Sequence, residues 1–121
     1  MNQFKFDLPI DDALPALIDA MQDQRHAVLQ APPGAGKTTR VPIALHETGM
    51  FAGKILMLEP RRLAARAAAA RLVQHFGDDL GQTVGYRMRG DSKSSPSTKI
   101  EVVTEGILTR MIPRDPELLG I

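Results

Sequence analysis

Apolar positions along this chain recur with two periods, and those periods predict most of its elements. Leu14, Leu17, Ile18 and Met21 fall at helical spacing, which predicts an amphipathic helix to about Gln24, capped by Asp11-Asp12 and packed on a sheet. Pro15 is tolerated in its first turn, where a backbone N–H has no intrahelical partner. Ala27-Val28-Leu29 is a short apolar run that predicts a strand. A turn-rich stretch follows, and then a helix from about Gly36 to Glu47, ending near Gly49. Pro42 sits inside that helix and costs about 3 kcal/mol unless the helix kinks or starts late.

Ile55-Leu56-Met57-Leu58 is continuously apolar, the pattern of a strand buried on both faces of a parallel sheet. Arg61 to Phe76 is alanine-rich, predicts the surest helix of the chain, and stops at Gly77. Thr83 to Arg89 alternates, with Val84, Tyr86 and Met88 on one face and Arg87 and Arg89 on the other, so it predicts a half-buried strand. Gly90 to Thr98 reads as a polar loop and Ile100 to Val103 as a strand. Thr104 is placed to cap a short helix that runs through Ile112 and is stopped by Pro113. This order implies an α/β layer sandwich with a largely parallel sheet, whose ligands bind at the carboxyl ends of the strands. Three segments follow strands and should share that edge: the turn-rich stretch, Glu59-Pro60-Arg61-Arg62, and Thr104-Glu105.

The turn-rich stretch, Ala31-Pro32-Pro33-Gly34-Ala35-Gly36-Lys37-Thr38-Thr39, carries the clearest chemistry. Gly34 and Gly36 let backbone N–H groups turn toward phosphate oxygens, and Lys37 opens a helix whose positive end already favours an anion. Thr38 supplies a hydroxyl where the phosphate-loop pattern puts a ligand to Mg²⁺. The strict pattern has Gly where this chain has Ala31. ATP with Mg²⁺ is the ligand this loop implies.

Size and charge narrow the rest. At 121 residues and 43% apolar composition the chain holds one domain, and its net charge of +1 gives no global basic field, so nucleic-acid affinity must come from clustered arginines. Arg61, Arg62, Arg66 and Arg71 lie on or just before one helix, and Arg62 and Arg66 share a face. That face suits a phosphate backbone, or simply solvent. Thr104-Glu105-Gly106 offers a hydroxyl and helix-terminal N–H groups to a second phosphate, or caps the helix. Tyr86 reads as core. The chain has no cysteine, and His26, His46 and His75 lack metal-ligand spacing. No leader pattern or membrane-length run is present, so a soluble cytoplasmic protein is expected. Hydrolysis would also need an acidic pair after a buried strand. Glu59 mimics one, but Pro60 follows it.

Together, Leu8-Pro9-Ile10, Gly36-Lys37-Thr38-Thr39, Glu59-Pro60-Arg61-Arg62-Leu63-Ala64-Ala65-Arg66, Val84-Gly85-Tyr86-Arg87 and Val103-Thr104-Glu105-Gly106-Ile107-Leu108 resemble the DEAH-box family of superfamily 2 ATP-dependent helicases, in its HrpB-type branch, over essentially the whole chain. The resemblance implies a P-loop NTPase (RecA-like) three-layer α/β/α sandwich, here incomplete. It makes residues 1–121 the amino-terminal part of the first RecA-like domain, ending before the Asp-Glu-x-His box. By resemblance Arg61, Arg62, Arg66, Thr104 and Glu105 belong to segments that contact single-stranded RNA, with DNA also possible. Without the box and the second domain, the isolated chain is expected neither to hydrolyse ATP nor to unwind a duplex, and its incomplete sheet invites pairing with another copy. Two alternatives stay open on the residues alone: a P-loop small-molecule kinase using Glu59, and a non-catalytic nucleic-acid-binding module.

Overall fold

The computed structural model describes residues 9–32 and 36–121. Its centre is a four-stranded sheet in the order β1-β4-β2-β3, made of β1 (Ile55–Leu58), β2 (Val84–Met88), β3 (Asp91–Lys93) and β4 (Ile100–Val103). β4 pairs in parallel with both β1 and β2, and β3 runs antiparallel to β2. The sheet is therefore mixed.

Alternation decides what each face meets. Val84, Tyr86 and Met88 of β2 and Ile100 and Val102 of β4 point to one face, where they pack with Ala65, Ala69 and Leu72 of α3 (Arg62–Phe76) and Ile43 of α2 (Lys37–Glu47). Alanines dominate the buried stripe of α3, so this helix lies close against the strands. The opposite face carries Arg87, Glu101 and Val103, and it meets α4 (Glu105–Arg114) through a contact between Arg87 and Met111. Helices thus stand on both faces. The second layer is partial, since Leu58 of β1 remains 46% exposed.

That exposure corrects the expectation of a strand buried on both sides. Ile55–Leu58 forms as expected, but β1 is an edge strand of this sheet and its side chains are only half-buried. On its outer edge the Lys54 N–H donates to the Gly120 carbonyl at 2.7 Å, so the last residues lie beside the start of β1.

The strand expected at Ala27-Val28-Leu29 does not form. Among the described residues no partner strand offers it a ladder, and an extended segment without one is no strand. Alternation survives even so, with Leu29 and Ala31 facing a small cluster of Ile10, Leu14 and Ala44 while Val28 is 98% exposed. α1 (Leu14–Gln24) belongs to that same cluster and packs on α2 rather than on the sheet. Asp11 and Asp12 do not cap it. They lie in a 3₁₀ turn, Pro9–Ala13, that runs straight into the helix, and Asp11 faces the buried Arg40 of α2 at 3.7 Å.

Three further details depart from sequence expectation. The polar stretch after Gly90 contains β3, because Arg89-Gly90 makes a two-residue hairpin that brings Asp91 opposite Met88. β2 is almost fully buried rather than half-buried, because α3 covers one of its faces and α4 reaches the other at Arg87. Pro113 lies within α4 instead of stopping it at Ile112. Pro42 likewise sits inside α2, buried, where its missing N–H deprives the Thr38 carbonyl of an intrahelical donor. Among the described residues no helix is long and apolar enough to cross a membrane.

Candidate nucleotide and nucleic-acid site

Of the expected phosphate loop, Pro33, Gly34 and Ala35 lie outside the described residues, as does Leu8 of the first motif. Ala31 is half-buried against the Leu14 cluster, and Pro32 is exposed. Gly36 is the N-cap of α2 with φ 101°, a left-handed conformation that a residue bearing Cβ would adopt under strain. Its carbonyl accepts from the N–H groups of Thr39 and Arg40 at 3.2 and 2.8 Å. Lys37 and Thr38 then occupy the first two positions of the helix. Both are exposed, and the N–H groups there have no intrahelical acceptor by geometry. An ammonium, a hydroxyl and free helix-terminal N–H groups are the donor set a triphosphate with a divalent cation calls for. The described part of the loop fits that ligand.

A second set of residues collects at the carboxyl ends of the parallel strands. Leu58 pairs with Val103, and Val103 with Arg87, so Glu59, Thr104 and Met88 stand level where their strands finish. The Glu59 N–H continues the ladder to the Val103 carbonyl at 2.8 Å. Arg61 is the extended N-cap of α3, and Arg62 begins that helix. Thr104 is the N-cap of α4, and Glu105 opens it. The Thr104 hydroxyl makes no capping bond, and the residue is 8% exposed, so access to it runs along the exposed helix start. Arg61, Arg62, Thr104 and Glu105 are therefore gathered on one edge of the sheet by β1 and β4. Lys37 and Thr38 make no hydrogen bond or ion pair with any of them.

Arg66 differs from its neighbours. Its guanidinium is paired with Asp91 of β3, whose other oxygen accepts from the Tyr86 hydroxyl at 2.9 Å. The Tyr86 hydroxyl and the Arg66 guanidinium hold the Asp91 carboxyl below its ordinary range, while burial raises the Tyr86 phenol. The Arg62 guanidinium donates to the Arg89 carbonyl at 2.8 Å. Two arginines of α3 thus hold the β2–β3 hairpin against the helix. Pattern reading missed this clasp because Asp91 lay in a stretch taken as loop; the only local signal was the Arg89-Gly90 pair.

A buried charge on the other face also escaped it. Glu101 is 1% exposed, with Arg87 Nε at 3.2 Å, Lys54 Nζ at 3.6 Å and the Ser94 hydroxyl donating at 2.6 Å. Arg87 Nε and Glu101 Oε1 meet as charges without hydrogen-bond alignment. Gly85 lies beside this group, and a Cβ there would fall 2.5 Å from the Lys93 carbonyl oxygen and 2.6 Å from the Ser94 hydroxyl. His46 and His75 pack their rings against Phe76, and His75 faces Glu47; among the described residues no cluster of side chains could hold a metal ion.

No protein-family model matches the chain. It is 51% identical, over 94% of its length, to the ATP-dependent RNA helicase HrpB of Escherichia coli strain K12. It is 36% identical, over 95% of its length, to the ATP-dependent RNA helicase HrpA of Borreliella burgdorferi. A crystal structure of the Escherichia coli DEAH/RHA helicase HrpB superposes with a TM-score of 0.90 at 50% identity, covering 95% of this chain and 15% of that one. A second, described as a DExH-box NTPase, gives 0.91 at 48% identity, over 99% and 15%. The chain spans 14% of the length of each of these two curated relatives. Half-identity along nearly the whole chain, together with a fold that superposes on both crystal structures, matches this chain to a segment of the HrpB-type DEAH-box helicases.

Proposed function

We propose that this chain is the amino-terminal part of the first RecA-like domain of an ATP-dependent RNA helicase. The observation that carries the reading is the gathering of Arg61, Arg62, Thr104 and Glu105 at the carboxyl ends of β1 and β4, in a chain half-identical to a protein named an RNA helicase. In the whole motor Lys37 and the N–H groups opening α2 neutralise phosphate charge, and Thr38 holds Mg²⁺. Arg61, Arg62 and the start of α4 at Thr104-Glu105 bind the backbone of single-stranded RNA, and contacts of that kind also admit DNA. Arg66 serves the same surface indirectly, by fixing the hairpin that Arg62 touches. A cytoplasmic setting goes with this reading.

Alone, the chain supplies one wall of a nucleotide site. It binds ATP weakly and neither hydrolyses it nor unwinds a duplex. Titration with a fluorescent ATP analogue in Mg²⁺ tests this: saturable binding that Lys37→Ala abolishes supports the assignment, and binding unchanged by Lys37→Ala rules it out. Steady ATP turnover that depends on Lys37 would contradict the proposed inactivity. The outer edge of β1 pairs with no strand among the described residues, so copies should associate through it at high concentration. A single monomeric species in sedimentation across that range would exclude such pairing.

A further inference from the structure

α4 carries an apolar stripe, Ile107, Leu108, Met111 and Ile112, yet none of its residues is buried. Where it crosses the sheet it borders an open cleft of about 910 Å³, lined in part by Arg87, Ile107, Arg110, Met111, Pro113 and Arg114. The three arginines are not equivalent. Arg87 is committed, with its Nε facing Glu101 and an Nη on the Met111 sulfur at 3.2 Å. Arg110 and Arg114 are exposed and take no hydrogen bond or ion pair among the described residues. They stand four residues apart, one above the other on a single face of α4. Asp115 also lines the cleft, but its Oδ1 accepts from the Leu119 N–H at 3.1 Å and so folds back on the closing turn.

We infer that Arg110 and Arg114 form a second anion-binding step for single-stranded RNA, taking two phosphates of the strand after it leaves Thr104-Glu105. The inference rests on the RNA reading above and extends it along α4. Continuity carries it, because α4 starts at the edge where Arg61, Arg62 and Thr104 gather, and its free guanidinium groups lead away from that edge. Chemistry supports it, since an unpaired guanidinium fork suits phosphate oxygens bidentately and a half-exposed apolar wall tolerates a passing sugar or base. An acidic protein segment would match the same charge, but the continuity of α4 with the edge at Thr104-Glu105 favours the strand proposed to bind there. Contacts of this kind carry no base specificity.

The experiment measures binding of this chain to a fluorescein-labelled uridine homopolymer over a range of salt concentrations. It compares the parent with Arg110→Gln/Arg114→Gln, with the charge-keeping Arg110→Lys/Arg114→Lys, and with Arg61→Gln/Arg62→Gln. Two phosphate contacts on a single strand contribute about 1.4 to the slope of log affinity against log salt. The glutamine pair at 110 and 114 should lose that much slope, and the lysine pair should keep most of it. An unchanged slope for the 110/114 glutamine pair, with a reduced one for the 61/62 pair, overturns this inference and leaves the proposed function standing. Unchanged slopes in both overturn the RNA reading and this extension together. Polyglutamate binding that is lost in the 110/114 glutamine pair while RNA binding is intact would assign the cleft to an acidic protein partner and overturn it as well.

Discussion

Residues 9–51 and the sheet that begins at Ile55 are held by different means. In the sheet, β4 is bracketed by parallel neighbours, and Ile100, Val102 and Val103 are each 0% exposed. In the helical part, α1, α2 and the extended segment before the expected phosphate loop share a small cluster around Ile10, Leu14 and Ala44, and among the described residues that segment has no ladder. Ladder bonds and core burial reinforce each other in the first region, whereas α1 and the extended segment are held to the rest by side-chain contacts, with α2 reaching the main core through Ile43. The residues proposed to meet nucleic acid stand on the first, and those proposed to meet the nucleotide on the second. The edge proposed to face RNA thus rests on the sheet itself, while the segment proposed to face nucleotide is tied to the core through α2.

Substitutions sharpen that contrast. Leu72 of α3 is 0% exposed within the main cluster, so Leu72→Ala should cost about 2–5 kcal/mol in urea unfolding, from lost transfer energy and the cavity left behind. A cost below about 1 kcal/mol would mean that α3 is not docked as described. Gly85→Ala should come next, at about 1–3 kcal/mol, because the new methyl meets the Lys93 carbonyl and Ser94 and must push the β3 connection away. The same variant should speed amide exchange at Ser94 and leave the α1–α2 pair unaltered. Uniform acceleration across the chain would instead argue that the two regions unfold as one.

Acid reads the clasp between α3 and the hairpin. The Asp91 carboxyl titrates below its ordinary 3.8 in the folded chain, chiefly through the Tyr86 hydroxyl and then through Arg66. As pH falls the unfolded chain takes up that proton first, so the stabilisation is present above the ordinary value and is lost on descent through the lowered one. Asp91→Asn should flatten stability against pH in that acid window. Identical acid limbs for parent and variant would show that Asp91 does not couple to folding. The smallest effect is expected at Val28, 98% exposed in the unladdered segment, where Val28→Thr should change stability by less than about 0.5 kcal/mol. A larger loss would reveal that this segment is paired in solution.

The elements legible in advance were those with a strong local signal. The alanine-rich helix, its stop at Gly77, the alternation of Val84, Tyr86 and Met88, and the run from Ile100 to Val103 all stand where their patterns put them. Each needs only its own residues to declare its period. Elements whose identity depends on a partner were misread. Val28 sits in an apolar run but has no strand beside it; Asp91 sits in a polar run but has β2 beside it. The same division holds at the site. Lys37, Thr38, Arg61, Arg62, Thr104 and Glu105 are proposed from motifs, while the diversion of Arg66 to Asp91 and the buried Glu101 group depend on contacts between distant segments.

By itself the sequence determined most of the helices, the periodic faces of the strands and the likeness to helicases. Those are properties of short windows, where propensity, alternation and glycine placement act locally. Only the tertiary structure decided which strand is an edge, which helix reaches the sheet, and which arginines remain free. A side chain's burial and a charge's partner are set by residues tens of positions away, brought near only when the sheet closes over its core.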